Sequence, residues 1–237
     1  MQNKSFFQRM LKWATYSRKL RKHEPLHSEF ELIEEIKGNY ESFAKNLETE
    51  SLIMMVVGKR GSGKSALGFR ILENIKSKSK RPCFALGVSQ EALPKWIKSI
   101  EDLEEAKEGG LVLVDEGALE FAAREAMKKK NINLGKLLAI ARHKGLSTIL
   151  VTQNTSMIDK NVLRLCDSII LKEGSLLQEH MERGVINKFY EKARSSLEKI
   201  NKEERKKAFY IMDTEFEGLC KADLPSFWSE NLSKSRR

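Results

Sequence analysis

Three groups of residues in this chain could do chemistry together. The run Gly58-Lys59-Arg60-Gly61-Ser62-Gly63-Lys64-Ser65 fits the spacing G-x-x-x-x-G-K-[ST] at every fixed position. It follows an apolar run and opens a helical pattern, which is the context a phosphate-cradling loop needs. Backbone N–H groups must wrap a phosphate closely, and side chains at Gly58, Gly61 and Gly63 would obstruct that approach. The segment from Gly58 through Ala66 is therefore the expected nucleotide-binding stretch. The helix opening near Lys64 would aim unsatisfied amides and its positive dipole end at the same anion. Lys64 could then reach the outer phosphates, and the Ser65 hydroxyl could ligate Mg²⁺. ATP and Mg²⁺ are the expected substrate and cofactor.

The second group closes another aliphatic run, Leu111-Val112-Leu113-Val114-Asp115-Glu116. Asp115 is placed to hold the metal. Glu116, beside it, could orient and polarise an attacking water. Both could instead cap the segment that follows. The third group is Gln153, at the tip of Ile149-Leu150-Val151-Thr152-Gln153, together with Arg142 in Ala141-Arg142-His143-Lys144-Gly145. Gln153 could reach a terminal phosphate or the lytic water. Arg142 could neutralise transition-state charge, or complement the negative end of its own helix.

Positioning these residues requires strands that end together. Short aliphatic runs at Leu52–Val57, Cys83–Val88, Leu111–Val114, Thr148–Thr152 and Ile169–Leu171 read as strands buried on both faces. Helical patterns at 64–76, 91–107 and 134–143 lie between them. This alternation predicts an α/β fold, a mostly parallel sheet with helices on both faces. After residue 173 the alternation stops. Residues 176–207 read as a charged helix, followed by a β-hairpin of Ala208–Met212 and Gly218–Lys221. Three regions result: a basic, helical N-terminal extension over 1–50, a core over 51–173, and a helix, hairpin and tail over 174–237.

Composition excludes several classes. The chain has 237 residues and a formal charge of +10, enough for one elaborated α/β domain. No stretch approaches the ~20 apolar residues of a membrane helix. Cys83, Cys166 and Cys220 form no metal-binding or disulfide pattern, so a reducing cytoplasmic setting is expected. Residues 1–22 hold Lys4, Arg9, Lys12, Arg18, Lys19, Arg21 and Lys22 and no acid. That basic, aromatic segment could dock on the body, bind nucleic acid or touch anionic lipid.

Taken together, the phosphate loop, the aliphatic-Asp-Glu strand, Arg142 and the Thr152-Gln153 tip resemble the FtsK–HerA superfamily of P-loop ATPases, over residues 51–173. The resemblance implies a three-layer P-loop NTPase (ASCE/RecA-like) with strand order 5-1-4-3-2. It also implies a homo-oligomeric ring, usually a hexamer, that drives double-stranded DNA through a channel. In that resemblance Lys64 and Ser65 bind phosphate and Mg²⁺, Asp115 supports the metal, Glu116 is the base and Gln153 senses the γ-phosphate. Arg142 would be a finger entering a neighbour's site, worth about 10³–10⁵ in rate, or roughly 4–7 kcal/mol. Arg124 and Arg164 could face an interface as well.

The size and layout resemble small viral genome-packaging ATPases, with Zot-like assembly ATPases next. The expectation is a chain without the membrane anchors of larger relatives, acting in a host cytoplasm or virion, with a virion vertex or a membrane-associated protein as partner. DNA contact needs cations facing a channel. Arg124, Lys128, Lys129 and Lys130, in the insertion after Glu116, are the candidates, although they also read as a solvated cluster. Residues 188–207 read instead as an exposed helix with i,i+4 ion pairs. A GTPase is disfavoured because Gln153-Asn154-Thr155-Ser156 stands where a base-recognition signal should be. A kinase would not need Glu116. A nucleotide-controlled binding switch and a cellular HerA-type translocase remain as alternatives.

Overall fold

The computed structural model describes residues 23–118, 134–153, 160–174, 185–229 and 232–233. Along the chain these form β1 (Glu31–Gly38), α1 (Tyr40–Thr49), β2 (Ile53–Val57), α2 (Lys64–Lys78), β3 (Cys83–Leu86), β4 (Ile97–Ile100) and β5 (Leu111–Val114). Then come α3 (Leu134–His143), β6 (Ser147–Thr152), α4 (Lys160–Leu165), β7 (Ser168–Leu171), α5 (Val185–Leu197), β8 (Ala208–Asp213) and β9 (Phe216–Lys221). Single 3₁₀ turns stand at Gln90–Ala92 and Leu103–Glu105.

All residues of β2, β3, β5 and β6 are buried, because both faces of the central sheet are covered. Alternate side chains therefore feed two cores. On one face Met54, Val56, Leu113, Ile149 and Val151 pack with Leu67, Ile71 and Leu72 of α2. On the other, Ile53, Met55, Val57, Val112 and Val114 pack with Leu137, Leu138 and Ala141 of α3 and with Tyr190 and Ala193 of α5. The period of two in a strand splits one aliphatic run between two layers.

One sheet holds nine strands in the order β1-β9-β8-β7-β2-β6-β5-β3-β4. The five strands expected from the sequence stand as β7-β2-β6-β5-β3, which is 5-1-4-3-2 in their own count, and all pair in parallel. The full order is longer. β4 adds a parallel strand at one edge, and β8, β9 and β1 add antiparallel strands at the other.

Three expectations about elements are corrected. Residues 91–107 are not a helix: a 3₁₀ turn leads to Pro94, then to β4 on the edge of β3. Proline disfavours helix in the residue before it and supplies no N–H of its own. Gln90 then completes the edge, with its Nε2 donating to Ile97 O at 3.0 Å and its Oε1 accepting from Ser99 N at 2.7 Å. Within 176–207 the described helix is Val185–Leu197, and residues 198–207 are turns. The described part of the 1–50 extension is not all helical, since β1 pairs with β9. The hairpin is present as β8 and β9.

Candidate nucleotide site

The phosphate loop leaves β2 at Val57 and enters α2 at Lys64, at the carboxyl ends of parallel strands, where open α/β sheets bind ligands. Gly61 and Gly63 take φ of +77° and +89°, a left-handed conformation that side chains resist. Gly58 needs glycine for a reason the sequence does not show. A Cβ there would meet Lys172 Cβ at 2.7 Å, so the constraint comes from the strand behind the loop.

Several polar groups are gathered here. Ser62 is buried, and its Oγ has no hydrogen-bond partner among the described residues, as suits a group facing an anion. Lys64 is 6% exposed and its Nζ donates to Lys59 O at 2.9 Å, folding the amine across the loop. Ala66 is buried in the first turn of α2, whereas Arg60 is exposed. Lys59 does not turn toward the loop. Its Nζ pairs with Glu173 Oε2 at 2.7 Å, and its N–H donates to Glu173 O at 3.0 Å.

Beside the loop, Ser65 Oγ donates to Asp115 Oδ1 at 3.2 Å, both residues being buried. A hydroxyl and a carboxylate at that separation form an all-oxygen donor set suited to Mg²⁺. Ser65 and Asp115 would hold the metal, which would neutralise phosphate charge. Glu116, next in the chain, is half-buried, and its Oε1 accepts from the Gln153 N–H at 2.8 Å. Strand β5 carries Asp115 and Glu116 to its end. β6, paired beside it, carries Gln153 to the same level. The sequence marks the Gln153 amide as a sensor, but the contact seen here uses its backbone to orient Glu116.

Arg142 is placed elsewhere. It lies in the last turn of α3, half-exposed, and its Nη2 donates to Leu165 O at 2.8 Å and approaches Asp167 Oδ1 at 3.4 Å. Asp167 Oδ2 accepts from Ile53 N at 2.7 Å. Arg142 thus sits where β2 and β7 begin, the opposite end of the sheet from the loop, and does not join its own chain's site. Arg164 is exposed on α4, also before β7. Arg124, Lys128, Lys129 and Lys130 lie outside the described residues, as does the basic segment 1–22.

Sequence reasoning missed the wall behind the loop. Lys172 follows β7 and is 1% exposed, with Nζ donating to Lys206 O at 2.5 Å and Ala208 O at 2.8 Å. Burial pushes its pKa down to about 7, opposed by Glu173. Glu173 also approaches Arg205 at 3.7 Å. A lysine ending an aliphatic strand was the available signal. Its partners lie more than thirty residues downstream.

Solved structures share this architecture. The genome packaging NTPase B204 from Sulfolobus turreted icosahedral virus 2, in complex with sulfate, aligns with a TM-score of 0.50 and 16% identity, over 74% of this chain and 98% of that one. Its complex with AMPPCP gives 0.50 and 15%, over 73% and 98%.

The fold is that of the P-loop ATPases.

EssC (ATPases 2 and 3) from Geobacillus thermodenitrificans aligns with a TM-score of 0.45 and 11% identity, over 78% of this chain and 43% of that one. The family model for zonular occludens toxin (Zot) matches residues 68–175, just under half of the chain. That match starts beyond Ser65, so the phosphate loop is independent of it. No curated protein matches the sequence. Among the described residues no helix is long and apolar enough to cross a membrane.

Proposed function

We propose that this chain is a Mg²⁺-dependent ATPase that works as a DNA-translocating motor, of the kind that packages viral genomes. The observation that carries the reading is the convergence of three groups at one end of the sheet: the phosphate loop, the Ser65–Asp115 pair, and Glu116 held by the Gln153 N–H. In the proposed reaction Glu116 takes a proton from a water whose oxygen attacks the γ-phosphorus. The bond from that phosphorus to the β,γ-bridging oxygen breaks, leaving ADP and inorganic phosphate. Lys64 and the N–H groups of the loop stabilise charge on the phosphates. Gln153 fixes the base through its backbone N–H.

Double-stranded DNA is the proposed track and a homo-oligomeric ring, such as a hexamer, the proposed assembly. The B204 alignment over nearly all of that chain supports a packaging role. Arg124 and Lys128–Lys130 are the proposed DNA contacts, and a host cytoplasm or virion the proposed setting. A second reading is favoured by the Zot match over 68–175: an assembly ATPase that drives virion extrusion at a membrane without pumping DNA. Steady-state ATP hydrolysis of the assembled protein, measured with and without duplex DNA, separates the two. Stimulation that weakens with salt, and that falls when Lys128–Lys130 are neutralised, is the expected result. A DNA-independent rate at low salt would reject the motor and favour the assembly factor.

A further inference from the structure

Lys172 occupies a position where a lysine is costly. Its stem runs so close behind the loop that Gly58 can carry no side chain, and a Cβ at Gly63 would stand 3.8 Å from its Nζ. Nζ meets two acceptors, Lys206 O and Ala208 O. Two acceptors match the two N–H groups of a neutral amine, whereas an ammonium brings three. Burial outweighs the attraction of Glu173 and pushes the pKa of this amine down to about 7.

The charged groups around it are Lys59 and Arg60 of the loop, Lys64 at the start of α2, Glu173 on the same strand end, and Lys202, Glu203, Glu204, Arg205, Lys206 and Lys207 of the turn before β8, where Glu204 is paired with Lys221 at 2.6 Å. Strands β2 and β8 present Val57 and Ala208, which carry no charge. Cations outnumber the carboxylates, so the group missing from this environment is an anion. A polyphosphate entering the loop supplies it, and a nearby negative charge favours the charged form of a lysine.

We propose that Lys172 is a proton-linked positioning residue of the phosphate loop, which takes up a proton from solvent when a nucleoside triphosphate binds and returns it when the site empties. The inference rests on the nucleotide reading of the loop and deepens it. Protonation also strengthens the bonds to the carbonyls of Lys206 and Ala208, so occupancy of the loop is transmitted to the start of β8.

The test is calorimetric titration of a Mg²⁺-bound, non-hydrolysable ATP analogue into the full chain at pH 8, in two buffers of different ionisation enthalpy. The expected result is uptake approaching one proton per site. Because the bound state then holds more protons, affinity falls as pH rises above 7, by up to about tenfold per pH unit. In Lys172→Met the uptake disappears and affinity becomes flat between pH 7 and 9. Should that variant fail to fold, lysine ¹⁵Nζ spectra of the unmodified chain decide: the Lys172 signal must titrate near pH 7 when empty and stay protonated at pH 8 when loaded. Binding without proton uptake, or uptake retained in Lys172→Met, overturns the inference and leaves the nucleotide site standing. Absence of binding to the unmodified chain overturns both.

Discussion

Glu116 and Asp115 are adjacent in sequence yet differ in surroundings. Asp115 is buried against Ser65, whereas Glu116 is half-buried and held by a backbone N–H at the tip of the neighbouring strand. That difference suits the proposed division of metal support to the first and proton transfer to the second. Glu116→Gln keeps the size and the acceptor oxygen but removes basicity, so nucleotide binding should persist while turnover drops by about 10²–10⁴. Single-turnover hydrolysis and equilibrium binding, measured on one preparation, check both halves. Unchanged turnover would remove Glu116 from the reaction. Both acids were legible in the sequence, because four aliphatic residues and then two carboxylates define a strand end. The Gln153 N–H that holds Glu116 was not, because a backbone contact leaves no signature in residue type.

At the scale of elements, α2 is the hub. Its first turn faces the phosphate site, while farther along Arg70 and Glu73 form an ion pair at 3.0 Å, both buried. Glu73 accepts from Leu26 N at 3.2 Å and Ser226 N at 3.0 Å, and also from the Ser226 hydroxyl. Arg70 donates to the carbonyls of Leu26, Asp223 and Leu224. The pair therefore fastens the segment before β1 and the segment after β9 to the helix that carries Lys64 and Ser65. Glu73→Ala leaves a buried guanidinium without its counter-charge and should cost about 3–5 kcal/mol in denaturant unfolding. Replacing both partners by apolar residues (Arg70→Met with Glu73→Leu) removes the uncompensated charge but leaves the carbonyls and N–H groups they held unpartnered, so it should recover only part of that loss. A single variant as stable as the parent would show that the pair is dispensable. The i,i+3 spacing of Arg70 and Glu73 on a helix does not by itself imply burial. Only the arrival of the segments around Leu26 and Asp223–Ser226 buries them.

For the whole molecule, the question is what a neighbour adds. Arg142 braces Leu165 and Asp167 at the end of the sheet away from its own loop. A finger role therefore requires an assembly that sets this edge against the next subunit's site. Mixing Arg142→Ala with Lys64→Ala subunits should then recover part of the ATPase rate, since some sites would combine an intact loop with an intact arginine. Proven co-assembly with no recovery would confine Arg142 to bracing the sheet. Two copies of the chain are needed for this question, which one sequence cannot pose.

The sequence by itself determined the central fold and pointed to a phosphate-binding loop. The loop spacing, the aliphatic strand ends and the β/α alternation are local patterns, set by backbone conformation and by burial on both faces. They led to a parallel α/β core and to the candidate phosphate, metal and base residues, whereas the 5-1-4-3-2 order came from the family resemblance. Only the tertiary structure decided what stands behind and around that core. Lys172 lies under the loop, β4 replaces a helix at one edge, β1 closes the other, and Arg142 faces away from the site. These outcomes depend on partners distant in the chain, and a period of 2 or 3.6 residues carries no information about which distant segments meet.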